Sequence, residues 1–205
     1  SSGAAFLNSM QQQSERSRRN HTANEVESAL RSGYNQGVLN ENDVKLISAL
    51  KENINIPVVA DIHFDYKLAL KCLEGNVSKI RINPGNITNQ DKVHLICQKA
   101  KEKNIPIRIG VNTGSLPKDL AEKVEKGEMT RAVALAETAA IEAEVFEELK
   151  FDQYVVSMKA SSVQETIDAN EAFARKYNIP LHVGVTEAGP LITGVVKSTM
   201  AFTHL

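Results

Sequence analysis

The 205-residue chain carries 24 Lys and Arg against 25 Asp and Glu, a net charge of −1, with 42% hydrophobic residues and two cysteines. That length buries a sizeable core and suits one domain, though a barrel of eight β/α units usually takes about 250 residues. The balanced charge leaves no basic stripe for nucleic acid, and no apolar run approaches the ~20 residues of a membrane span. No basic-then-apolar leader opens the chain, and two cysteines by themselves specify neither a disulfide framework nor a metal site. The class is a soluble, cytoplasmic α/β domain.

In chain order, residues 1–39 form an atypical N-terminal segment. Gln11–Asn20 lacks apolar periodicity, Arg31–Gly37 holds Gly, Ser, Asn and Gln where a strand is expected, and only a helix at Asn24–Leu30 is suggested. From residue 40 the pattern is regular. Val44, Ile47 and Leu50 share a helix face capped by Asn40 or Asn42, and strand Pro57–Ile62 follows. Asp65 caps a helix Tyr66–Glu74 that Gly75 ends, and Val77–Ile82 is the next strand. Asn83-Pro84-Gly85-Asn86 is a turn, and a helix at Gln90–Lys103 puts Val93, Ile96, Cys97 and Ala100 on one face. Cys97 and Cys72 therefore read as core residues.

Strand Ile105–Val111 leads into Asn112-Thr113-Gly114-Ser115 and a polar helix around Lys118–Lys126. Thr130 caps an Ala-rich helix reaching about Leu149, and strand Gln153–Met158 ends at Lys159. Ser162 and Glu165 have capping-box spacing before a helix carrying Val163, Ile167, Phe173, Ala174 and Tyr177. Strand Leu181–Val185 ends at Glu187, and Gly194–Phe202 forms an amphipathic helix. Three of the five strands start at Asn-Ile-Pro (55–57, 104–106, 178–180), where proline is tolerated because no ladder bond is needed. Strands alternating with helices predict a parallel sheet, and the absence of Gly-x-Gly-x-x-Gly after a strand argues against an open dinucleotide-binding sheet.

Function concentrates where the strands end. There the chain presents Asp61 and His63, Arg81 and Asn83, Arg108 and Asn112, Ser157 and Lys159, then Thr186 and Glu187. In a β/α barrel these surround one mouth. Three cations among amide and hydroxyl donors suit a phosphate or diphosphate, because desolvating them without an anion is costly. Residue by residue, other readings stand. A lone strand-end arginine commonly sits in a structural ion pair, for which Asp61 or Glu187 could serve, and Lys159 and Asn112 singly suit a solvated loop. His63 suits a packed core or a substrate contact equally; His94 and His182 read as structural.

The segments Val59–Asp65, Arg81–Ile87, Pro106–Ser115, Ser157–Ser161, Thr186–Gly189 and Gly194–Ser198 closely resemble the 4-hydroxy-3-methylbut-2-enyl diphosphate synthase family, over residues 40–200. The resemblance implies a TIM-like (β/α)8 barrel that binds 2-C-methyl-D-erythritol 2,4-cyclodiphosphate, within an oxidoreductase of isoprenoid biosynthesis. A separate domain would carry a [4Fe–4S] cluster for reductive ring opening, fed by flavodoxin or ferredoxin in a homodimer. By carry-over, Arg81, Asn83, Arg108, Asn112, Lys159 and Lys197 bind diphosphate, and Asp61, His63 and Glu187 line the catalytic pocket.

Two departures shape the expectation. The family's cluster ligands, three cysteines and a glutamate, fall beyond Leu205, and neither Cys72 nor Cys97 sits in such a motif, so no metal ligand is expected here. The eighth barrel strand is also missing. Ala5–Met10 resembles the family's first strand and the match resumes near Val38, so residues 11–37, where the second strand belongs, read as an out-of-frame stretch. Residues 40–205 are thus an incomplete barrel portion, expected to bind substrate and not to complete catalysis alone. A pterin- or phosphate-binding barrel of another kind, and a truncated product without function, are the alternatives.

Overall fold

Short β-branched runs alternating with amphipathic helices do build a parallel sheet. The computed structural model describes residues 38–53, 57–75, 77–87 and 89–205. The expected first strand, disrupted second strand, out-of-frame stretch and helix at Asn24–Leu30 lie outside them. Among the described residues the elements run α1 (Glu41–Asn53), β1 (Val59–Ile62), α2 (Tyr66–Glu74), β2 (Lys79–Ile82), α3 (Gln90–Lys103) and β3 (Ile107–Asn112). Then come α4 (Lys118–Glu125), α5 (Arg131–Glu148), β4 (Tyr154–Lys159), α6 (Val163–Ala174) and α7 (Leu191–His204). The four strands pair in parallel in the order β1-β2-β3-β4, and among the described residues the sheet does not close.

Strand parity divides the sheet. One face carries Ala60, Ile62, Ile80, Ile82, Ile107, Ile109, Val111, Val156 and Met158, each no more than 1% exposed. Helix α2 packs on β1 and β2, and α5 on β3 and β4, over this face. Helix α5 can lie close because Ala132, Ala136, Ala139, Ala140 and Ala143 present almost no side-chain bulk. Burying each Ile contributes about 1.5–3 kcal/mol. The opposite face holds Asp61, Lys79, Arg81, Arg108, Gly110, Asn112, Ser157 and Lys159. Parallel strands are ordinarily apolar on both sides, so this second face is the departure that marks a site.

Local signals place the helices. Asn40 Oδ1 accepts from the Asn42 and Asp43 amides, Asp65 caps α2, and Thr130 and Ser162 cap α5 and α6. Expectations are refined in three places. The strands at Pro57, Val77 and Ile105 begin two residues later and the strand at Gln153 one residue later, although Pro106 O, just ahead of β3, already accepts from Ile80 N. Gly75 does end α2, but at φ −73, outside the left-handed region that Asn104 adopts after α3. The capping box is half made, because the Glu165 carboxylate turns to Arg131.

The fifth strand, Leu181–Val185, is reduced to one bridge between Val156 and Leu181. Pro180 O and the His182 amide bond Val156 in parallel fashion, and the Thr186 amide reaches Ala160 O. Between them the next ladder acceptor, Met158 O, takes the side-chain amide of Asn170 instead. The register still sets Leu181 toward the core and His182, Gly184 and Thr186 on the polar face.

Candidate anion-binding site

The register brings Asp61, Arg81 and Arg108 into one row across β1, β2 and β3. Asp61 is buried and accepts from Arg81 Nη1 at 2.9 Å, while Arg81 Nη2 donates to Gly110 O at 3.0 Å. This fold of the arginine across β3 requires Gly110: a Cβ there would stand 2.1 Å from Arg81 Nε. Asp61 is therefore the ion-pair partner of Arg81, one of the two readings its sequence position left open.

Arg108 is buried with Nη1 2.9 Å from His182 Nε2, and its Nε has no partner among the described residues. Burial, then the nearby Arg81, push its proton affinity down, against the pull of Asp61. An unpartnered buried guanidinium nitrogen is rare because its desolvation goes uncompensated. Lys159 makes no hydrogen bond or ion pair among the described residues, and its pKa too is lowered, by burial first and then by Arg108 and Arg81. Its side chain crosses Gly184, where a Cβ would meet the ammonium stem at 3.0 Å. Burial, Arg108, Lys159 and Lys79 together push His182 down to about 4. Four cations (Lys79, Arg81, Arg108, Lys159) thus share a half-buried face with one carboxylate, Asp61.

The other expected residues divide. Asn83 is buried and donates to Ser115 Oγ at 2.9 Å, so the turns after β2 and β3 are tied together. Asn112 Oδ1 accepts from the Gly114 amide, an internal turn bond. His63 is half-buried with its ring 6.0 Å from Phe64 and no hydrogen bond among the described residues. Glu187 is exposed in the left-handed region at φ 50, and Lys197 lies on α7; neither has a hydrogen bond or ion pair to the cluster among the described residues.

Sequence reasoning missed His182, read as structural, together with Gly110, Gly184 and Ser115. Parity was the available signal for the first three. A histidine and a glycine alternating with Leu181, Val183 and Val185 belong to the polar face once Leu181 is assigned to the core. It also missed Glu142 on α5, 8% exposed and pushed up to about 7 by burial; its Oε1 lies 2.7 Å from where a Gly85 Cβ would be. Nothing in the Ala-rich helix pattern sets that acid apart.

For metal, no group of three or more His, Cys, Asp or Glu among the described residues could hold an ion. Cys72 and Cys97 are buried on α2 and α3, and burial lifts their thiols to about 11 and about 12, far from the thiolate a cluster needs. The described residues do not fit an iron–sulfur centre. Nor is any described helix long and apolar enough to cross a membrane.

Comparison with known proteins gives the family. The model of the GcpE TIM-barrel domain matches residues 6–205. A Treponema denticola protein is 53% identical over 167 residues, covering 73% of this chain and 43% of the relative. Relatives from Treponema pallidum (51% over 168 residues) and Geobacillus kaustophilus (52% over 160) each cover 78% of this chain and 42% of their own length. All three are named 4-hydroxy-3-methylbut-2-en-1-yl diphosphate synthase (flavodoxin). The chain spans less than half the length of these relatives, and it belongs to their family, that of the GcpE TIM-barrel domain.

Proposed function

We propose that the polar face binds the diphosphate of 2-C-methyl-D-erythritol 2,4-cyclodiphosphate, as the substrate-binding part of an enzyme that opens this ring reductively to 4-hydroxy-3-methylbut-2-enyl diphosphate. The observation that carries the reading is the buried, unpartnered Arg108 Nε amid an excess of cations. The relatives' shared name supports the substrate class, and its parenthesis supports flavodoxin as the electron donor of the whole enzyme.

In this reading Arg108 offers its free Nε and Lys159 a compact charge to the phosphate oxygens, two geometries of cation that together fix a diphosphate. Arg81 stays locked to Asp61 and Gly110 and supplies charge from a fixed position. Asn83 holds the rim through Ser115, and His63 lies beside it at the end of β1. Asn112, Glu187 and Lys197 join the site only if ligand draws them in. The [4Fe–4S] cluster that the resemblance implies would have its ligands outside the described residues.

The test is titration of the chain with inorganic pyrophosphate by calorimetry. Wild type should bind, and Arg108→Met should weaken binding 10- to 100-fold, the loss of a charged hydrogen bond of about 1.5–3 kcal/mol. Arg108→Met should leave thermal stability unchanged or higher, since it removes a desolvated charge. Equal binding by wild type and Arg108→Met would overturn the assignment.

A further inference from the structure

We infer that His182 is the proton-accepting member of this site: as a phosphate-bearing ligand seats among the cations, the imidazole takes one proton from solvent and changes from acceptor for Arg108 to donor toward the ligand. The inference rests on the anion-binding reading above and adds a titrating residue to it.

The starting state follows from donor chemistry. A guanidinium only donates, so Nε2 of His182, 2.9 Å from Arg108 Nη1, must present its lone pair, and the single ring proton sits on Nδ1. The charges acting on the ring are Arg108 on β3, Lys159 on β4 and Lys79 on β2. Arg81 and Asp61 reach it through Arg108. Its own segment, residues 181–186, holds no other titratable side chain. The free site therefore opposes protonation from three directions, and the ring stays neutral down to about pH 4.

Burial of the ring persists when a ligand binds, but a bound polyanion acts on the repulsion and on the hydrogen bond. It neutralises the cations that repel a charged imidazole, and it competes for the Arg108 guanidinium whose donated hydrogen bond occupies Nε2. The lone pair then gains a proton, one N–H bond forms at Nε2, and no electron is transferred. Histidine suits this because its unperturbed pKa lies near 6.5, so lifting the repulsion moves its proton change up from about 4 toward the neutral range, while burial of the ring continues to hold it down.

The experiment is an NMR pH titration of the imidazole resonances of the full chain, free and saturated with inorganic pyrophosphate, with His182 assigned by its loss in His182→Gln. The expected result is a His182 midpoint that rises by more than one unit on saturation, while the rings of His94 and His204 stay put. His182→Asn provides the assignment if His182→Gln does not fold. A saturated complex in which the His182 midpoint is unmoved overturns the inference and leaves the anion site standing. Failure of wild type to bind pyrophosphate overturns both.

Discussion

The two faces of one four-stranded sheet are built from the same residues in alternation and obey opposite rules. On the helix side, Ile62, Ile82, Ile109, Val156 and Met158 are buried within one apolar cluster. On the other side, at neighbouring positions of the same strands, Asp61, Arg108 and Ser157 are buried almost as deeply but carry charge or hydroxyl. Burial is similar while the chemistry is opposite. The first face holds the fold together, whereas the second holds uncompensated charge at the cost of stability, which is the arrangement a ligand site requires.

Gly110 is where the comparison breaks most sharply, because Arg81 crosses the sheet only through the space it leaves. Gly110→Ala displaces the flexible end of Arg81, and buried Asp61 is left without its cation. The expected cost is about 3–5 kcal/mol by chemical denaturation, the usual loss on breaking a buried ion pair from one side. In an Asp61→Asn background the same substitution should cost much less, since no buried charge is stranded. Equal costs in the two backgrounds would show that Gly110 serves packing alone.

One residue away, Ile109 points to the other face. Ile109→Ala should cost about 2–5 kcal/mol in the same assay, from lost burial and the cavity left behind. Pyrophosphate affinity of the folded fraction should not change, because the Ile109 side chain lies in the apolar cluster on the opposite face from the cations. A fall in affinity matching that of Arg108→Met would mean the faces are coupled through the strand.

The helices and four strands were legible because their signals are local: Asp65, Thr130 and Ser162 each cap the helix that follows, and the apolar positions repeat with the right period. The site was legible only as a set of strand ends. That Asp61 binds Arg81 and that Arg108 meets His182, 74 residues away, depends on register, which no local pattern supplies. The fifth strand failed for the same reason: Asn170, on a helix, takes the carbonyl that the ladder would use.

Glu142 tests what an acid costs on the helix side. Its folded pKa is raised by burial from 4.5 to about 7. Below pH 4.5 both folded and unfolded chains hold the proton and nothing is lost. Between 4.5 and 7 the unfolded chain ionises first, so stability falls as pH rises and levels off above 7. Over that window the loss amounts to about 3 kcal/mol, at about 1.4 kcal/mol per unit. Glu142→Gln should remove this slope and be the more stable protein at pH 8; a slope retained in the variant would assign it to another group.

The smallest effect is expected at the pair between Arg131 and Glu165, and its size shows that burial, not geometry, sets the ranking. Arg131 donates from Nε and Nη2 to both carboxylate oxygens at 3.0 Å, a better fork than the single 2.9 Å bond from Arg81 to Asp61. Yet the Arg131 side chain is 49% exposed, against 13% for Arg81. Arg131→Ala should cost less than about 1 kcal/mol, and less still in high salt, as exposed pairs do. Glu165, once released, can turn back to the Ser162 amide and complete the capping box, offsetting part of the loss. A cost near that of Gly110→Ala, insensitive to salt, would instead make this pair a structural clasp between α5 and α6.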